Sequence, residues 1–238
     1  IEDLNRVDVN DLKNFFLRWY GPNNATITVA GDVNTSDVIK LTEKYFGSIP
    51  RGPEVKNMDK PSFSLEADRY ISYEDNIRFP MLAMSFPTVP NYDPDSYALD
   101  YLANVLGGTN SSLLYQRFVK TREAQQASAS HPTRELAGSF NINILVMPGK
   151  SLAECEKKVR AILDEFAATT ISDADMQRYL ASVETGVIQS LSSVAGKAST
   201  LAENQAFTGQ PNFLSVQLEN YKKVTKEDVM RVFKKYIY

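Results

Sequence analysis

Two stretches of this sequence, VDVNDLKNFFLRWY at residues 7–20 and VTKEDVMRVFKKYI at residues 224–237, repeat one pattern in phase. Each position of the first stretch lies 217 positions before its counterpart in the second. Both follow V-x-x-x-D-(L/V)-x-x-(F/V)-F-x-x-(W/Y)-(Y/I), in which apolar residues recur at helical spacing after an acidic first turn. This pattern predicts an amphipathic helix near each end of the chain.

The residues that follow the first copy extend the comparison. Gly21-Pro22-Asn23-Asn24 predicts a turn, and residues 25–31 (ATITVAG) predict a strand because Thr, Ile and Val are frequent in strands. The second copy ends at Tyr238, and the sequence opens at Ile1 rather than at a methionine. A repeat at this long spacing indicates duplicated domains rather than a solenoid. We therefore expect a partial duplicated-domain fragment of a longer protein.

The composition is that of an ordinary globular chain. Its 238 residues are 43% hydrophobic and carry a net charge of −3, with basic and acidic residues interspersed. Because a nucleic-acid-binding surface needs a basic patch, we expect no nucleic-acid partner. We find no signal peptide and no apolar run long enough to cross a membrane, and expect no membrane segment. The single cysteine, Cys155, falls on the apolar stripe of a predicted helix, which predicts a buried, unreactive thiol.

Periodicity predicts helices grouped with antiparallel strands. Alternation of apolar and polar residues at 140–146 indicates a half-buried strand, and strands are also predicted at 69–73, 81–86 and 125–131. Helices are predicted at 38–46 after a cap at 34–37, and at 93–106, 111–120, 151–167, 172–207 (bent near Gly186 or Gly196) and 225–237. This arrangement predicts an α+β fold in which an antiparallel sheet packs against helices.

A change in composition between residues 51 and 66 separates two parts of the chain. Pro53 and Pro61, with several charges and few periodic apolar residues, indicate an extended linker. We therefore expect residues 1–50 to be the C-terminal part of a preceding domain and residues 51–66 to be a linker. Residues 67–238 are expected to form a second, homologous α+β domain that is truncated at its C-terminus.

The sequence does not supply the residues of a catalytic centre. A catalytic zinc ion usually has three protein ligands, commonly including one or two imidazoles, whereas this chain has one histidine, His131. Pro132 follows it, which indicates that His131 ends a strand. No G-x-S-x-G nucleophile motif is present. We therefore expect neither a catalytic residue nor a metal ligand in this chain.

Several segments resemble one known family. Residues 12–24 (LKNFFLRWYGPNN), 29–32 (VAGD) and 43–50 (EKYFGSIP) are similar, in this order, to the end of the first domain of pitrilysin/insulinase-type zinc peptidases. Leu106-Gly107-Gly108, followed by residues 111–116 (SSLLYQ), resembles a segment of their second domain. Each motif alone is weak, but their order and spacing extend the resemblance over nearly the whole chain.

The resemblance implies a specific setting. The resemblance implies that homologous α+β domains with a mitochondrial-processing-peptidase-like fold are arranged like the two halves of a clamshell. The family's inverted zinc motif lies early in the first domain, upstream of Ile1 here. The second domain carries no metal, buttresses the catalytic domain and helps to wall a closed chamber, in which peptides bind as added β-strands. The resemblance therefore implies zinc in the parent protein but none on this fragment, and a periplasmic or other extracytoplasmic location.

One departure from the family pattern bears on the partners. In many members an Arg and a Tyr, seven residues apart, reach the substrate, and alignment places Val119 and Gln126 at these positions. Neither can replace them, since Val119 has no donor and Gln126 has no phenol. We therefore expect the partners to be a peptide or protein substrate, the upstream catalytic domain, and a second half or partner subunit that supplies the Arg/Tyr pair. Alternatively, this half is a degenerate, non-peptidase copy.

The polar segment 125–137 contains the candidate substrate contacts. Ser128, Ser130 and His131 either line the chamber and contact peptide, or belong to a twisted hairpin with one exposed face. We also expect strand 25–31 to fill a gap in the sheet by pairing with a strand within residues 68–146, either within one chain or swapped between two chains.

Three functions compete. The first is a non-catalytic domain of a zinc-dependent metalloendopeptidase, which buttresses the catalytic domain and walls the peptide-degrading chamber. The second is a binding or scaffold subunit of a degenerate, non-peptidase family member. The third is a self-contained α+β interaction domain. An intact inverted zinc motif upstream of Ile1 would favour the first over the second.

Overall fold

The chain divides into two compact units. The computed structural model describes residues 2–56, 58–61 and 65–238. Unit 1 consists of Ile1–Met58 and Thr185–Val216, and unit 2 consists of Asp59–Glu184 and Gln217–Tyr238. Residues 57 and 62–64 of the predicted linker lie outside the described residues.

Unit 2 contains a three-stranded antiparallel sheet with the strand order β1-β3-β2. Its strands are β1 (Met81–Thr88), β2 (Ala124–Ser130) and β3 (Gly138–Val146). Along β3, half-buried residues alternate with buried ones, and the buried set is Phe140, Ile142, Ile144 and Val146. This is the alternation that the sequence predicts, because successive side chains of a strand point to opposite faces of the sheet.

Helices pack against the buried face of this sheet. They are α4 (Pro94–Ala103), α5 (Leu152–Ala167) and α9 (Lys226–Tyr236). Asp93, Ser151 and Thr225 cap them, each accepting a hydrogen bond from a backbone N–H of the first turn that would otherwise lack a partner. The buried sides of these helices and of the sheet form one hydrophobic core. The predicted α+β fold, with an antiparallel sheet packed against helices, is confirmed.

A close approach to β2 explains Gly107, the first glycine of the pair after Leu106. Helix α4 continues into a π-helical turn, Asn104–Gly108. A Cβ atom added at Gly107 would lie 2.6 Å from the carbonyl carbon of Ser128 and 2.9 Å from Cα of Ala129. Only glycine fits this position, because the atoms that a side chain would meet belong to the backbone of β2. A second π-helical turn, Tyr115–Val119, lies within the helix predicted at 111–120.

The long helix predicted at 172–207 is two helices. They are α6 (Asp173–Ser190) and α7 (Val194–Thr208), and α8 (Leu214–Lys223) follows. The bend predicted near Gly186 or Gly196 is a break at 191–193, between these two glycines. Ser193 caps α7 by accepting a hydrogen bond from the Gly196 N–H at 3.0 Å. Because a serine hydroxyl competes for backbone hydrogen bonds, serine is favoured at the start of a helix rather than inside it. None of the described helices has the length and hydropathy needed to cross a membrane.

The N-terminal part of unit 1 has helices without a buried face. These are α1 (Glu2–Arg6), α2 (Val9–Trp19) and α3 (Thr35–Phe46), and none of them contains a buried residue. After α2, Asn23 donates from Nδ2 to the Pro53 carbonyl at 2.9 Å and accepts from the Gly52 N–H at 2.8 Å. Asn23 therefore fixes the turn after α2 against residues 52–53.

Two predicted strands do not form. Residues 25–31 and 69–73 belong to no sheet of the described chain. A strand is stabilised by its neighbour, through backbone hydrogen bonds and side-chain packing, more than by its own composition. No strand among the described residues pairs with either segment, so the expectation that residues 25–31 pair with residues 68–146 of the same chain is wrong.

Candidate functional site

The open face of the sheet presents rows of polar side chains. In one row, Ser85 of β1, Asn141 of β3 and Ser130 of β2 lie opposite one another. Ser85 Oγ donates to Asn141 Oδ1 at 2.7 Å. In the next row, Ser128 lies opposite Asn143. Hydroxyl and amide groups both donate and accept hydrogen bonds, so this face has the chemistry to bind a peptide backbone.

Two of the three candidate contacts lie on this open face. Ser130 is exposed and Ser128 is half-buried. Gln126, at the position where the family pattern has Tyr, is exposed on the same face opposite Leu145. The structure therefore brings Gln126, Ser128 and Ser130 together along β2.

His131, the third candidate contact, is turned into unit 2. Its side chain is 0% exposed, with Nδ1 2.8 Å from Asp100 Oδ1 and Nε2 3.1 Å from Thr88 Oγ1. Tyr221 donates to the other carboxylate oxygen of Asp100 at 2.7 Å. Because a carboxylate only accepts, Nδ1 carries a proton and donates to Asp100, and Nε2 forms a hydrogen bond with the Thr88 hydroxyl. His131 therefore ties the ends of β1 and β2 to α4 and α8.

Hydrogen bonds link Thr88, His131 and Asp100 in this order. They provide a hydroxyl, an imidazole and a carboxylate, as the catalytic triad of a hydrolase does. The relative exposure of Thr88 is 9%, however, and a nucleophile has to reach a substrate carbonyl. Burial raises the pKa of Tyr221 above its ordinary value, and the charge of Asp100 adds to this, so the phenol stays protonated and donates. The network is a set of satisfied internal hydrogen bonds rather than an active site.

The positions aligned with the family's substrate-binding Arg and Tyr do not supply those groups. Val119 is partly buried and packs against the core of unit 2. The nearby Arg117 is paired elsewhere, since its Nη2 donates to both carboxylate oxygens of Glu165 at 2.6 and 2.8 Å. No described side chain at these two positions can therefore carry the role of the Arg/Tyr pair.

The donor set of this chain does not fit a zinc ion. Among residues 2–56, 58–61 and 65–238, no three His, Cys, Asp or Glu side chains are grouped to hold a metal. Both ring nitrogens of His131 are engaged in hydrogen bonds. Cys155 is buried, and burial raises the pKa of its thiol to about 11, so it stays protonated at neutral pH. The prediction of a buried thiol is confirmed.

A cavity of about 410 Å³ lies beside Cys155 at the start of α5. Four of its charged side chains form two ion pairs. Lys158 Nζ lies 2.6 Å from Glu123 Oε1, and Lys157 Nζ lies 3.1 Å from Glu154 Oε1. The hydrogen bond from Lys158 lowers the pKa of Glu123, which keeps that carboxylate charged. We assign no ligand to this cavity.

The sequence patterns did not predict one cluster of polar side chains in unit 2, which forms around Asp95. Asp95, in the first turn of α4, is buried and accepts hydrogen bonds from Arg231 at 2.7 Å, Lys235 at 2.9 Å and Tyr236 at 2.8 Å. Arg231 and Lys235 are four positions apart on α9 and therefore lie on one face of the helix. This spacing is the sequence signal from which an acidic partner could have been predicted.

A family model described as Peptidase M16 inactive domain matches residues 6–183 of this chain. Among curated proteins, zinc protease PqqE of Helicobacter pylori is 26% identical over 244 residues, which cover 95% of this chain and 54% of that protein. The probable inactive metalloprotease YmfF of Bacillus subtilis is 24% identical over 239 residues, which cover 99% of this chain and 54% of that protein. The chain thus spans about half the length of the curated relatives it matches.

Solved structures have the same fold. The crystal structure of a protease from Helicobacter pylori gives a TM-score of 0.82 at 23% identity and covers 100% of this chain and 58% of that one. The periplasmic protease PqqL from Escherichia coli gives a TM-score of 0.69 at 18% identity, over 87% of this chain and 23% of that one. At these identities, the likeness concerns the fold alone.

Proposed function

Because this chain belongs to the peptidase M16 family, through the inactive-domain model that matches residues 6–183, we propose that it is the non-catalytic domain of a zinc-dependent metalloendopeptidase. This is the family that the sequence motifs resemble. In the proposal, the domain buttresses the catalytic domain and walls the chamber in which peptides are cleaved. Zinc and the general base that activate water belong to another part of the longer protein.

The polar open face of the sheet is the observation that supports the role as a wall. Ser85, Asn141 and Ser130 form a row of hydrogen-bonding groups that continues across all three strands. Such a face tolerates water and can hydrogen-bond a peptide of varied sequence. The outer strands β1 and β2 each keep one edge with which no described strand pairs, and an extended peptide can bind at such an edge by adding a strand.

In this proposal, each segment of the chain has a defined place in the longer protein. Residues 1–50 would complete the preceding, zinc-bearing domain, residues 51–66 would link it to the next, and residues 67–238 would form the metal-free domain. Since Val119 and Gln126 stand where the family has Arg and Tyr, a second half or a partner subunit would supply that pair. A periplasmic or other extracytoplasmic location is proposed, because the structurally similar PqqL is a periplasmic protease.

A second candidate function is a binding or scaffold subunit without peptidase activity. The observation that favours it is the match to a probable inactive metalloprotease over 99% of this chain. The residues that precede residue 1 in the longer protein distinguish the two functions. An intact inverted zinc motif supports the peptidase, and a motif that lacks its histidines or glutamate supports the scaffold.

Kinetics of the longer protein test the wall function. If Ser128 and Ser130 hydrogen-bond the substrate, their joint replacement by alanine should raise KM for a peptide by roughly three- to tenfold and leave kcat within about twofold. Ser48→Ala is the control, because Ser48 is exposed in unit 1 and has no place on the sheet. Equal KM values for the double variant, the control and the unchanged protein would contradict the proposed contacts.

A further inference from the structure

The open face of the sheet carries no charge. The strand pairing assigns to this face every second residue of β1 from Met81 to Pro87, of β2 from Gln126 to Ser130, and of β3 from Ser139 to Leu145. All of them are exposed or half-buried. None of these described residues has a titratable side chain, so the face is neutral at every pH at which the domain folds.

Neutrality is unusual for a surface that water reaches. Of all residues in the chain, 23% are charged, and charged side chains of folded proteins lie mostly at the surface. On this face, Ser, Asn and Gln take the places that Lys, Arg, Asp and Glu commonly occupy. A neutral face offers a charged ligand no opposite charge in exchange for the water that the ligand loses. The face therefore suits a ligand that forms hydrogen bonds and carries no charge.

The middle strand presents an asparagine whose carboxamide has no internal partner. The side chain of Asn143 is half-buried and forms no hydrogen bond with any residue that the structure describes. Its neighbours across the sheet are small, namely Ala83 of β1 and Ser128 of β2. Asn141, by contrast, is engaged, since its Oδ1 accepts from Ser85 Oγ at 2.7 Å. Asn143 thus keeps an acceptor oxygen and a donor amide group for a ligand.

The rows of this face have the spacing of an extended peptide. Asn141 and Asn143 are two positions apart on β3, which separates their rows by about 6.8 Å. Side chains on one side of an extended peptide recur at the same distance. A carboxamide or hydroxyl of the peptide can use both the donor and the acceptor of Asn143, whereas a carboxylate only accepts and an ammonium only donates. Uncharged polar side chains at alternate positions therefore fit successive rows.

We propose that the open face selects extended peptide segments with uncharged hydrogen-bonding side chains (Ser, Thr, Asn or Gln) at alternate positions, and that Asn143 determines this specificity. The inference rests on the proposed function, because it takes the open face to line the chamber of a peptidase. A Glu or Lys side chain on the row of Asn143 loses water without meeting an opposite charge, so charged segments of either sign bind more weakly.

Peptide binding to the longer protein, measured by fluorescence anisotropy with a chelator present, tests the inference without hydrolysis. Three peptides share one sequence apart from a flanking segment, in which every second residue is Gln in the first, Glu in the second and Lys in the third. We expect Kd of the Gln peptide to be lower than that of either charged peptide by roughly three- to tenfold.

Asn143→Asp is the decisive variant, because it adds a charge and hardly changes the shape of the side chain. It should tighten binding of the Lys peptide roughly three- to fivefold and weaken binding of the Glu peptide by a similar factor. Asn143→Lys should reverse this order. Since Asn143 has no internal hydrogen bond to lose, both variants should fold. Asn76→Asp is the matched control, because Asn76 is exposed and lies outside the sheet, and it should change each Kd by less than about twofold.

Two outcomes would overturn the inference. One is a Gln peptide that binds no more tightly than the charged peptides, and the other is an Asn143→Asp variant whose preferences equal those of Asn76→Asp. Hydrolysis by the longer protein with zinc is measured separately. If binding follows the expected pattern but no chelator-sensitive hydrolysis occurs, the specificity inference stands and the proposed function fails. If such hydrolysis occurs but substitutions at Asn143 leave the peptide preference unchanged, the proposed function stands and the inference fails.

Discussion

Asp95 and Lys235 join the first turn of α4 to the last turn of α9 across 140 positions of sequence, with 2.9 Å between Oδ2 and Nζ. The same carboxylate accepts from Arg231 and Tyr236, so three donors converge on one acidic group whose side chain is 12% exposed. This cluster fixes the C-terminal helix of unit 2 against the helix that follows β1.

Removal of the Asp95 charge should destabilise unit 2. Burial alone would raise the pKa of Asp95, but the hydrogen bonds from Lys235, Tyr236 and Arg231 outweigh burial and lower the pKa below 3.8. A lowered pKa in the folded state means that the stabilisation is fully present above the unfolded value and is lost as the pH falls through the folded value. At pH 7, Asp95→Asn should lower the free energy of unfolding by about 2 kcal/mol, measured by guanidinium titration.

The pH dependence provides the check on this cluster. The stability difference between Asp95→Asn and the unchanged chain should shrink as the pH falls below about 4, because the Asp95 carboxyl of the unfolded chain then takes up a proton, and it should be lost once the pH has also passed below the lowered pKa of the folded chain. Asp3→Asn is the control, since the Asp3 side chain is 99% exposed, and it should change stability by less than about 0.5 kcal/mol. A difference that stays constant from pH 7 to pH 3 would contradict the role of the charge.

Gly107 should not tolerate a methyl group. An added Cβ would meet backbone atoms of Ser128 and Ala129, so either the π-helical turn or β2 has to move. We expect Gly107→Ala to lower the free energy of unfolding by about 2 kcal/mol or more.

Gly186→Ala is the matched control for this glycine. Gly186 lies inside α6, and nothing lies within 4 Å of an added Cβ there. It should raise stability by about 0.5–1 kcal/mol, as expected of alanine in place of glycine in a helix. If both variants change stability in the same direction and by similar amounts, the close approach of α4 to β2 is not the reason for Gly107.

His131 should act on stability rather than on direct peptide binding. His131→Phe keeps an aromatic ring but removes the hydrogen bonds to Asp100 and Thr88, which should cost about 2–3 kcal/mol of unfolding free energy. Ser130→Ala, at the exposed end of β2, should cost less than about 0.5 kcal/mol. A His131→Phe chain with unchanged stability would show that the internal network does not hold unit 2 together.

The sequence predicts those parts of the fold that depend on local periodicity. Strand β3 is predicted correctly because its alternation directly records one buried and one open face. Helix α9 is predicted correctly because its cap and apolar spacing lie within a single segment. The predicted family and its fold are also confirmed. This prediction succeeds because several weak motifs in a fixed order restrict the candidate families more than any one motif does.

Predictions from sequence fail where a partner distant in sequence decides the outcome. Residues 25–31 have strand composition, but a strand forms only beside a neighbour, and none of the described strands pairs with them. His131 has its partners 31 and 43 positions away, at Asp100 and Thr88, so the polarity of its own segment cannot show that it turns inward. The role of Asp95 is missed for the same reason, because acidic residues in a first turn usually need no explanation beyond the helix dipole.

Hydrolysis of a peptide by the purified 238-residue chain, with zinc and with a chelator, tests the central claim most directly. We predict no hydrolysis above the uncatalysed rate under either condition, together with chelator-sensitive hydrolysis by the longer protein that contains the preceding domain. Chelator-sensitive turnover by this chain alone would contradict the assignment of a non-catalytic domain.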